Sequence, residues 1–264
     1  MARVTAQDVA DAAGVSLATV DRVLNNRKGV RESTVERVTR AMEQLNFERD
    51  HAAATLARRR NYRFTFLVPS GETAFFGDIR AEIETARAHF AKDRIEINMI
   101  KVPPLDPFAI QSEVERLGDE IGDGVAMVAV ESQIVRDTIN ALREKGVHVV
   151  TFISDAPASA RERFVGIDNV AAGRVAASLL NRFIHAPNGD VAVVAGSGTL
   201  RDHVERRMGF EQVMRAECPH LTVLPWIEGE ELADVVEPKL TALLEENPNL
   251  VGLYSIGGGT RGVS

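Results

Sequence analysis

The chain has 264 residues, of which 45% are hydrophobic and 26% charged, with a formal net charge of −7 and a single cysteine. It is long enough for a small module plus one larger domain with its own core. The lack of any run of about 18 apolar residues excludes a helical membrane span, and Cys218 alone excludes an internal disulfide and suits a reducing cytoplasm.

Met1 to Thr5 lead straight into a first helix with no apolar signal region, so a cytoplasmic protein is expected. Residues 5–25 read as two short helices joined by a tight turn. Val9, Ala10 and Ala13 share one helical face, and Val20, Val23 and Leu24 share another, so two helices can cross on small apolar side chains. Gly14 fits the left-handed position after a helix, and Ser16 is placed to cap the second helix, with Thr19 three residues on. This spacing predicts a helix-turn-helix whose second helix enters a DNA major groove; a plain helical hairpin is the weaker reading. A third helix is predicted from Glu32 to about Asn46, with Val35, Val38, Met42 and Leu45 closing the small core. Residues 1–60 hold 11 Lys and Arg against 8 Asp and Glu, net +3, whereas the rest hold 20 against 30, net −10. A basic head on an acidic body is the asymmetry expected when only the head meets phosphate.

Thr5, Asp8-Val9-Ala10, Ala13-Gly14-Val15-Ser16, Thr19-Val20 and Arg22-Val23-Leu24-Asn25, followed by Val30, Thr34, Val38 and Leu45-Asn46-Phe47, resemble the N-terminal signature of the lac-repressor (LacI/GalR) family of transcriptional regulators. The resemblance is dense over about the first 60 residues and thinner beyond them. It implies that Leu17, Ala18 and Arg22 face base edges. Arg22 can give guanine a bidentate contact worth about 1–3 kcal/mol of discrimination. Ser16, Thr19, Asn25 and Arg31 become candidates for phosphate contacts, and Thr5 and His51 complete the DNA-facing set. Asp21 departs from the small hydroxyl common in the family. Its charge must be neutralised by Arg22 or Arg27, or used to accept from a cytosine amino group, which implies a changed operator preference.

Residues 50–58, Asp-His-Ala-Ala-Ala-Thr-Leu-Ala-Arg, precede Arg59 and Arg60. Alanines favour helix and Asp50 can cap it, but so short a helix is marginal alone in water. The segment resembles the family's hinge helix, which implies that Leu56 wedges into the minor groove with Arg58 beside phosphate. Arg49 and Asp50 stand where Pro-Asn is more usual, and a solvated linker is the alternative.

From Tyr62 apolar runs alternate with amphipathic stretches. Strands are predicted at 64–68, 95–102, 125–130, 147–153, 190–195, 222–225 and 252–256, and helices at 78–90, 107–121, 132–145, 171–183, 200–215 and 231–246. Such alternation predicts a parallel sheet covered on both faces, with ligands bound beyond the carboxyl ends of the strands. Val165 to Asn169 with Ala172-Gly173, and Arg206 with Gly209-Phe210, resemble the family's periplasmic sugar-binding-protein-like body. That resemblance implies two lobes closing on a small molecule, with Arg206 in direct contact with it. Phe75 and Phe76 could stack on a sugar ring or plug the cleft. Asp155, Asp168 and Asp202 could accept from hydroxyls, or be loop and cap residues, and Asp168 reads best as an N-cap. The acid the family often carries directly after the strand near Ile153 is shifted to Asp155. Gly257 to Thr260 stand where relatives commonly carry Asn-Asp.

The expected fold is therefore α/β. A three-helix head spans residues 1–49 and a hinge helix or linker 50–61. A two-lobed periplasmic-binding-protein-like domain spans 62–264, and is expected to be incomplete at its C-terminal end. The expected function is sequence-specific DNA binding by a transcriptional regulator, read as a repressor, under control of a sugar, polyol or sugar acid. Its partners would be a near-palindromic operator and a second copy of the chain. The alternative is a sugar-binding protein without regulatory activity. An enzyme is disfavoured: Gly196-Ser197-Gly198 lacks the third glycine of a dinucleotide turn, and no Ser-His-Asp order or Cys/His cluster is evident, so neither cofactor nor metal is expected.

Overall fold

The computed structural model describes residues 4–24, 29–45, 47, 61–71, 73–257 and 259–263, and the chain divides into two compact units, Met1–Arg60 and Asn61–Ser264. In the first unit, α1 (Ala6–Ala13) opens on a capping box. The Asp8 backbone N–H donates to the Thr5 hydroxyl, and the Thr5 N–H donates back to the Asp8 carboxylate at 2.7 Å. Two otherwise orphaned donors are thereby satisfied. Gly14, at φ 61°, closes α1 in the left-handed region. Ser16 then starts α2 (Leu17–Leu24), its hydroxyl accepting from the Thr19 N–H at 3.2 Å. With α3 (Glu32–Gln44), these helices enclose Val9, Ala10, Ala13, Val20, Val38 and Ala41, flanked by Val23, Leu24, Met42, Leu45 and Phe47. Val35 was expected in that core but is 37% exposed; Ala41 packs there instead, its small side chain suiting close helix crossing.

The second unit begins with β1 (Tyr62–Pro69), α4 (Ala74–Phe90), β2 (Ile95–Val102), α5 (Pro107–Leu117), β3 (Gly124–Met127), α6 (Gln133–Glu144), β4 (His148–Phe152) and β5 (Arg163–Val165). These strands form one parallel sheet in the order β2-β1-β3-β4-β5. Side chains alternate across it. Leu67, Val125, Met127 and Val149 pack under Ile110 of α5 and Val135, Ile139 and Leu142 of α6, while Val68 and Ile97 pack under Ile83 of α4. That two-sided burial accounts for the near-continuous apolar runs.

The chain then enters a second lobe: α7 (Asn169–Phe183), β6 (Gly189–Ala195), α8 (Arg201–Glu217), β7 (Leu221–Val223), β8 (Ile227–Glu228), α9 (Ala233–Glu246) and β9 (Leu250–Ile256). The central strand β6 pairs along one edge with β9 and along the other with β7 and then β8, all parallel. Val191, Val193 and Ala195 bury against Phe210 and Met214 of α8, and Val194 against Val236 and Leu240 of α9. The helices α7 and α8 touch backbone to backbone. A Cβ on Gly173 would lie 1.9 Å from the Arg206 carbonyl oxygen, and one on Gly209 would lie 2.0 Å from that of Val170. The two glycines noted in the sequence are thus what this crossing requires.

Three details depart from the sequence reading. The strand expected at 125–130 ends at Met127, and the short β5 and β8 were not foreseen. The helix expected at 78–90 starts at Ala74, capped by Thr73, which puts Phe75 and Phe76 in its first turn. Among the described residues no helix is long and apolar enough to cross a membrane.

Candidate functional site

Two surfaces carry the candidate residues, one in each unit. On α2, Leu17, Ala18, Asp21 and Arg22 are exposed while Val20 is fully buried. Positions one, two, five and six of a helix lie on one stripe, so these four side chains form a single outward face. Leu17 is a large apolar residue left 47% exposed there. The hydroxyls of Ser16 and Thr19 hydrogen-bond each other at 2.9 Å beside that face. Thr5 is engaged in its cap, where its backbone N–H and hydroxyl hold the Asp8 carboxyl below the usual carboxylate range. Arg31 is exposed ahead of α3. Asn25, Arg27, His51, Leu56, Arg58 and the expected hinge helix lie outside the described residues.

In the second unit a cleft of about 610 Å³ opens between the lobes. Its walls are the segments that follow strands: Gly71 and Thr73 to Phe76 after β1, Pro103 to Leu105 after β2, Val128 and Val130 after β3, and Ile153 and Ser154 after β4. Opposite them come Leu200, Asp202, His203 and Arg206 after β6, Glu230 to Ala233 after β8, and Gly257 and Gly259 to Arg261 after β9. This is the carboxyl-end location expected of parallel sheets. The lobes are tied at its edge by hydrogen bonds from the Glu131 N–H to the Thr199 carbonyl at 2.9 Å and from the Arg201 N–H to the Ser154 hydroxyl at 3.1 Å.

Arg206, Asp202, Phe75 and Phe76 all line this cleft. Arg206 donates through Nε to Oδ1 of the buried Asn169 at 2.9 Å, which fixes the plane of its guanidinium. Phe75 and Phe76 meet edge to face with centroids 5.3 Å apart, and Phe75 is 54% exposed. Asp155 is placed elsewhere: it does not line the cleft, and its carboxylate is consumed within the first lobe. It pairs with Arg161 and accepts from the Thr151 hydroxyl at 2.5 Å and the Ala156 N–H at 2.8 Å. Burial alone would raise the Asp155 carboxyl, but Arg161, Thr151 and the Ala156 N–H outweigh it and hold the group below its ordinary range. Asp168 is the N-cap of α7, accepting from the Ala171 N–H at 2.9 Å.

The sequence reading missed His203 and Glu231. His203 is 3% exposed, and its Nδ1 accepts from the backbone N–H groups of Gly196 and Ser197 at 3.2 and 3.3 Å. An acceptor Nδ1 leaves the proton on Nε2, so the ring is the neutral tautomer. That Nε2 lies 3.6 Å from Asp202 Oδ2 and 3.7 Å from Glu231 Oε1. Burial pushes the imidazole below its ordinary value, Asp202 opposes this and Arg206 adds to it. Space for the cluster comes from glycine: a Cβ on Gly196 would fall 1.7 Å from Glu231 Oε1, and one on Gly257 would fall 2.5 Å from His203 Nε2.

The cleft is also where the backbone is strained. Of the five non-glycine residues with positive φ among the described residues, Leu105, Ile153, Glu230 and Glu231 line it. A β-branched residue such as Ile153 at φ 67° is held there only by its surroundings, and such positions gather at ligand sites. No group of three or more His, Cys, Asp or Glu able to hold a metal occurs among the described residues.

Comparison with known proteins matches a family to each part of the chain. Residues 64–263 match the family described as periplasmic binding protein domain, and residues 5–50 match bacterial regulatory proteins of the lacI family. The HTH-type transcriptional regulator DegA of Bacillus subtilis is 27% identical over 214 residues, 80% of this chain and 61% of that protein. The HTH-type transcriptional regulator IdnR of Escherichia coli is 36% identical over 83 residues, 31% of this chain and 25% of its own length. This chain thus spans about three fifths of DegA and a quarter of IdnR. Among solved structures, an ABC transporter solute-binding protein of Burkholderia graminis in complex with D-arabinose superposes with a TM-score of 0.67 at 22% identity, covering 74% of this chain and 66% of that one. The two families matched are regulators and binding proteins, not enzymes.

Proposed function

We propose that this chain, which belongs to the periplasmic-binding-protein domain family and carries a lacI-family helix-turn-helix domain, is a sequence-specific DNA-binding transcriptional regulator, acting as a repressor, whose operator affinity is set by a small sugar-like effector. It works in the cytoplasm without cofactor or catalysis, as a homodimer on a near-palindromic operator, because two reading helices must meet half-sites at a fixed spacing. The observation that carries this reading is the outward face of α2, where Leu17, Ala18, Asp21 and Arg22 stand together on a helix capped and packed by everything around it. In this reading Arg22 takes a base edge, Leu17 and Ala18 meet thymine methyls or groove shape, and Ser16, Thr19 and Arg31 set register on phosphate.

The cleft supports a small polar ligand with one apolar face, and the D-arabinose held by a protein of the same fold supports a sugar. Arg206 anchors it through a fork of donors, and Phe75 and Phe76 cover it. Coupling between ligand and operator of about 1–3 kcal/mol would suffice for control. Fluorescence anisotropy on DNA from the region upstream of the protein's own gene, at two salt concentrations and against scrambled duplex, tests the reading. Sequence-dependent binding that falls about 5- to 150-fold in Arg22→Ala supports it. Binding that ignores sequence and collapses with salt, alongside intact sugar binding, would make this a sugar-binding protein without regulatory activity.

A further inference from the structure

The buried carboxylate of Asp202 is a feature of the cleft that a neutral sugar leaves without a charge partner. Its side chain is 5% exposed, it lines the cleft, and its Oδ1 is buried without any hydrogen-bond partner. The ion-pair contact recorded for it among the described residues is with His203, whose Nε2 lies 3.6 Å from Oδ2. Its neighbour His203 does not neutralise it, because Nδ1 is occupied as an acceptor by two backbone N–H groups and the ring is uncharged. Arg206, one turn further along α8, turns its Nε to Asn169 instead. The first turn of α8 favours the negative charge electrostatically, but it leaves Oδ1 unfilled. A buried charge is costly unless it is both paired and hydrogen-bonded.

We propose that the effector carries a protonated amine and that Asp202 is the residue that holds it. This rests on the reading of the cleft as an effector site. A hydroxyl could fill the Oδ1 lone pair, but a cationic N–H donor, of which an ammonium is the simplest, supplies the hydrogen bond and the missing positive charge together. The surroundings favour the same ligand. Glu230 and Glu231 stand on the same side of the cleft, drawn in by hydrogen bonds from the Gly229 and Glu230 N–H groups to the carbonyls of Ala195 and Gly196 at 2.8 Å. Arg206 on the same helix supplies donors to the ring or carboxyl oxygens of the same ligand. The pattern of one donor fork and one buried carboxylate about a helical turn apart, beneath an aromatic lid, matches an amino sugar or amino sugar acid rather than a plain polyol or a sugar acid.

Isothermal titration of the full chain with D-glucosamine, D-glucose and D-gluconate tests the assignment, with Asp202→Asn as the isosteric variant. The expected result is D-glucosamine bound about tenfold or more tightly than D-glucose, as a charge-assisted contact exceeds a neutral one, with D-gluconate weakest. In Asp202→Asn, D-glucosamine and D-glucose should bind within about twofold of each other while the melting temperature stays within a few degrees of the parent. Glu231→Gln, which keeps Asp202, should reduce the preference without abolishing it, and serves if Asp202→Asn does not fold. D-glucose or D-gluconate binding as tightly as D-glucosamine overturns the inference, as does a preference that survives Asp202→Asn. Silence from all three sugars also overturns it. Sequence-specific operator binding measured in the same preparation would then show that the regulator reading stands without it.

Discussion

The two lobes meet at one cleft and bring opposite chemistry to it. From the first come Pro69, Phe75, Phe76, Pro103, Val128 and Val130; from the second come Asp202, His203, Arg206, Glu230 and Glu231. The first lobe contributes area, a non-directional attraction that any ligand with an apolar face can use. The second contributes donors and acceptors whose positions are fixed by strained backbone, glycine gaps and hydrogen bonds to buried partners. Non-directional area and directional, selective contacts are thus separated by lobe.

The sharpest break targets the second lobe's frame. In Gly173→Ala or Gly209→Ala the new Cβ meets a carbonyl oxygen at about 2 Å, and backbone cannot step aside as a side chain does. A loss of about 3 kcal/mol or more in urea unfolding is expected; an unchanged midpoint would mean that α7 and α8 are not in this contact. Next, Arg161→Ala removes the partner of a mostly buried carboxylate in the first lobe and should cost about 2 kcal/mol of stability, less than a fully buried pair because Arg161 stays 21% exposed. Since the Asp155 carboxyl is held below its ordinary range, that stability is complete at neutral pH and is lost as pH falls through the folded value. Sugar affinity should stay within about twofold, because the pair does not line the cleft. A larger loss of affinity would put charge chemistry in the first lobe after all.

Arg206→Ala shifts the weight to binding, lowering sugar affinity about 10- to 100-fold by titration while costing about 1 kcal/mol of stability through the unpaired Asn169 Oδ1. Phe75→Ala should lower affinity only about fivefold for every sugar alike, since a half-exposed ring supplies area and not selectivity. The smallest effect is on pH. His203 is neutral in the fold with its ionisation pushed below the ordinary histidine value, so the unfolded chain takes up the proton first. Stability should therefore fall as pH drops below about 6.5, by at most about 1.4 kcal/mol per unit, and this slope should flatten in His203→Gln.

The alternation of apolar runs and helices was legible because parallel strands buried on both faces cannot carry polar residues, and Ser16, Gly14 and Asp168 announced their turns by chemistry. Arg206 was legible through its glycine-spaced motif, whose physical basis is the α7–α8 contact. Asp155 was misread because its partner Arg161 sits six residues on in an irregular loop that no periodicity describes. The short β5 and β8 hold too few residues to show a period. His203 and Glu231 were missed because they come together only when β6, β8 and β9 lie side by side. Glycines 196 and 257, each ending a strand, were the one trace of that meeting in the sequence.

Those two glycines also restrict how such a floor can be assembled. A side chain at position 196 or 257 would occupy the atoms of Glu231 or His203. At 196 the atom met is the end of the Glu231 side chain, which would have to turn away, and at 257 a φ of 84° adds backbone strain to any side chain. Asp202, His203 and Glu231 thus share their floor with two positions that carry no side chain, and the five positions make one unit of design.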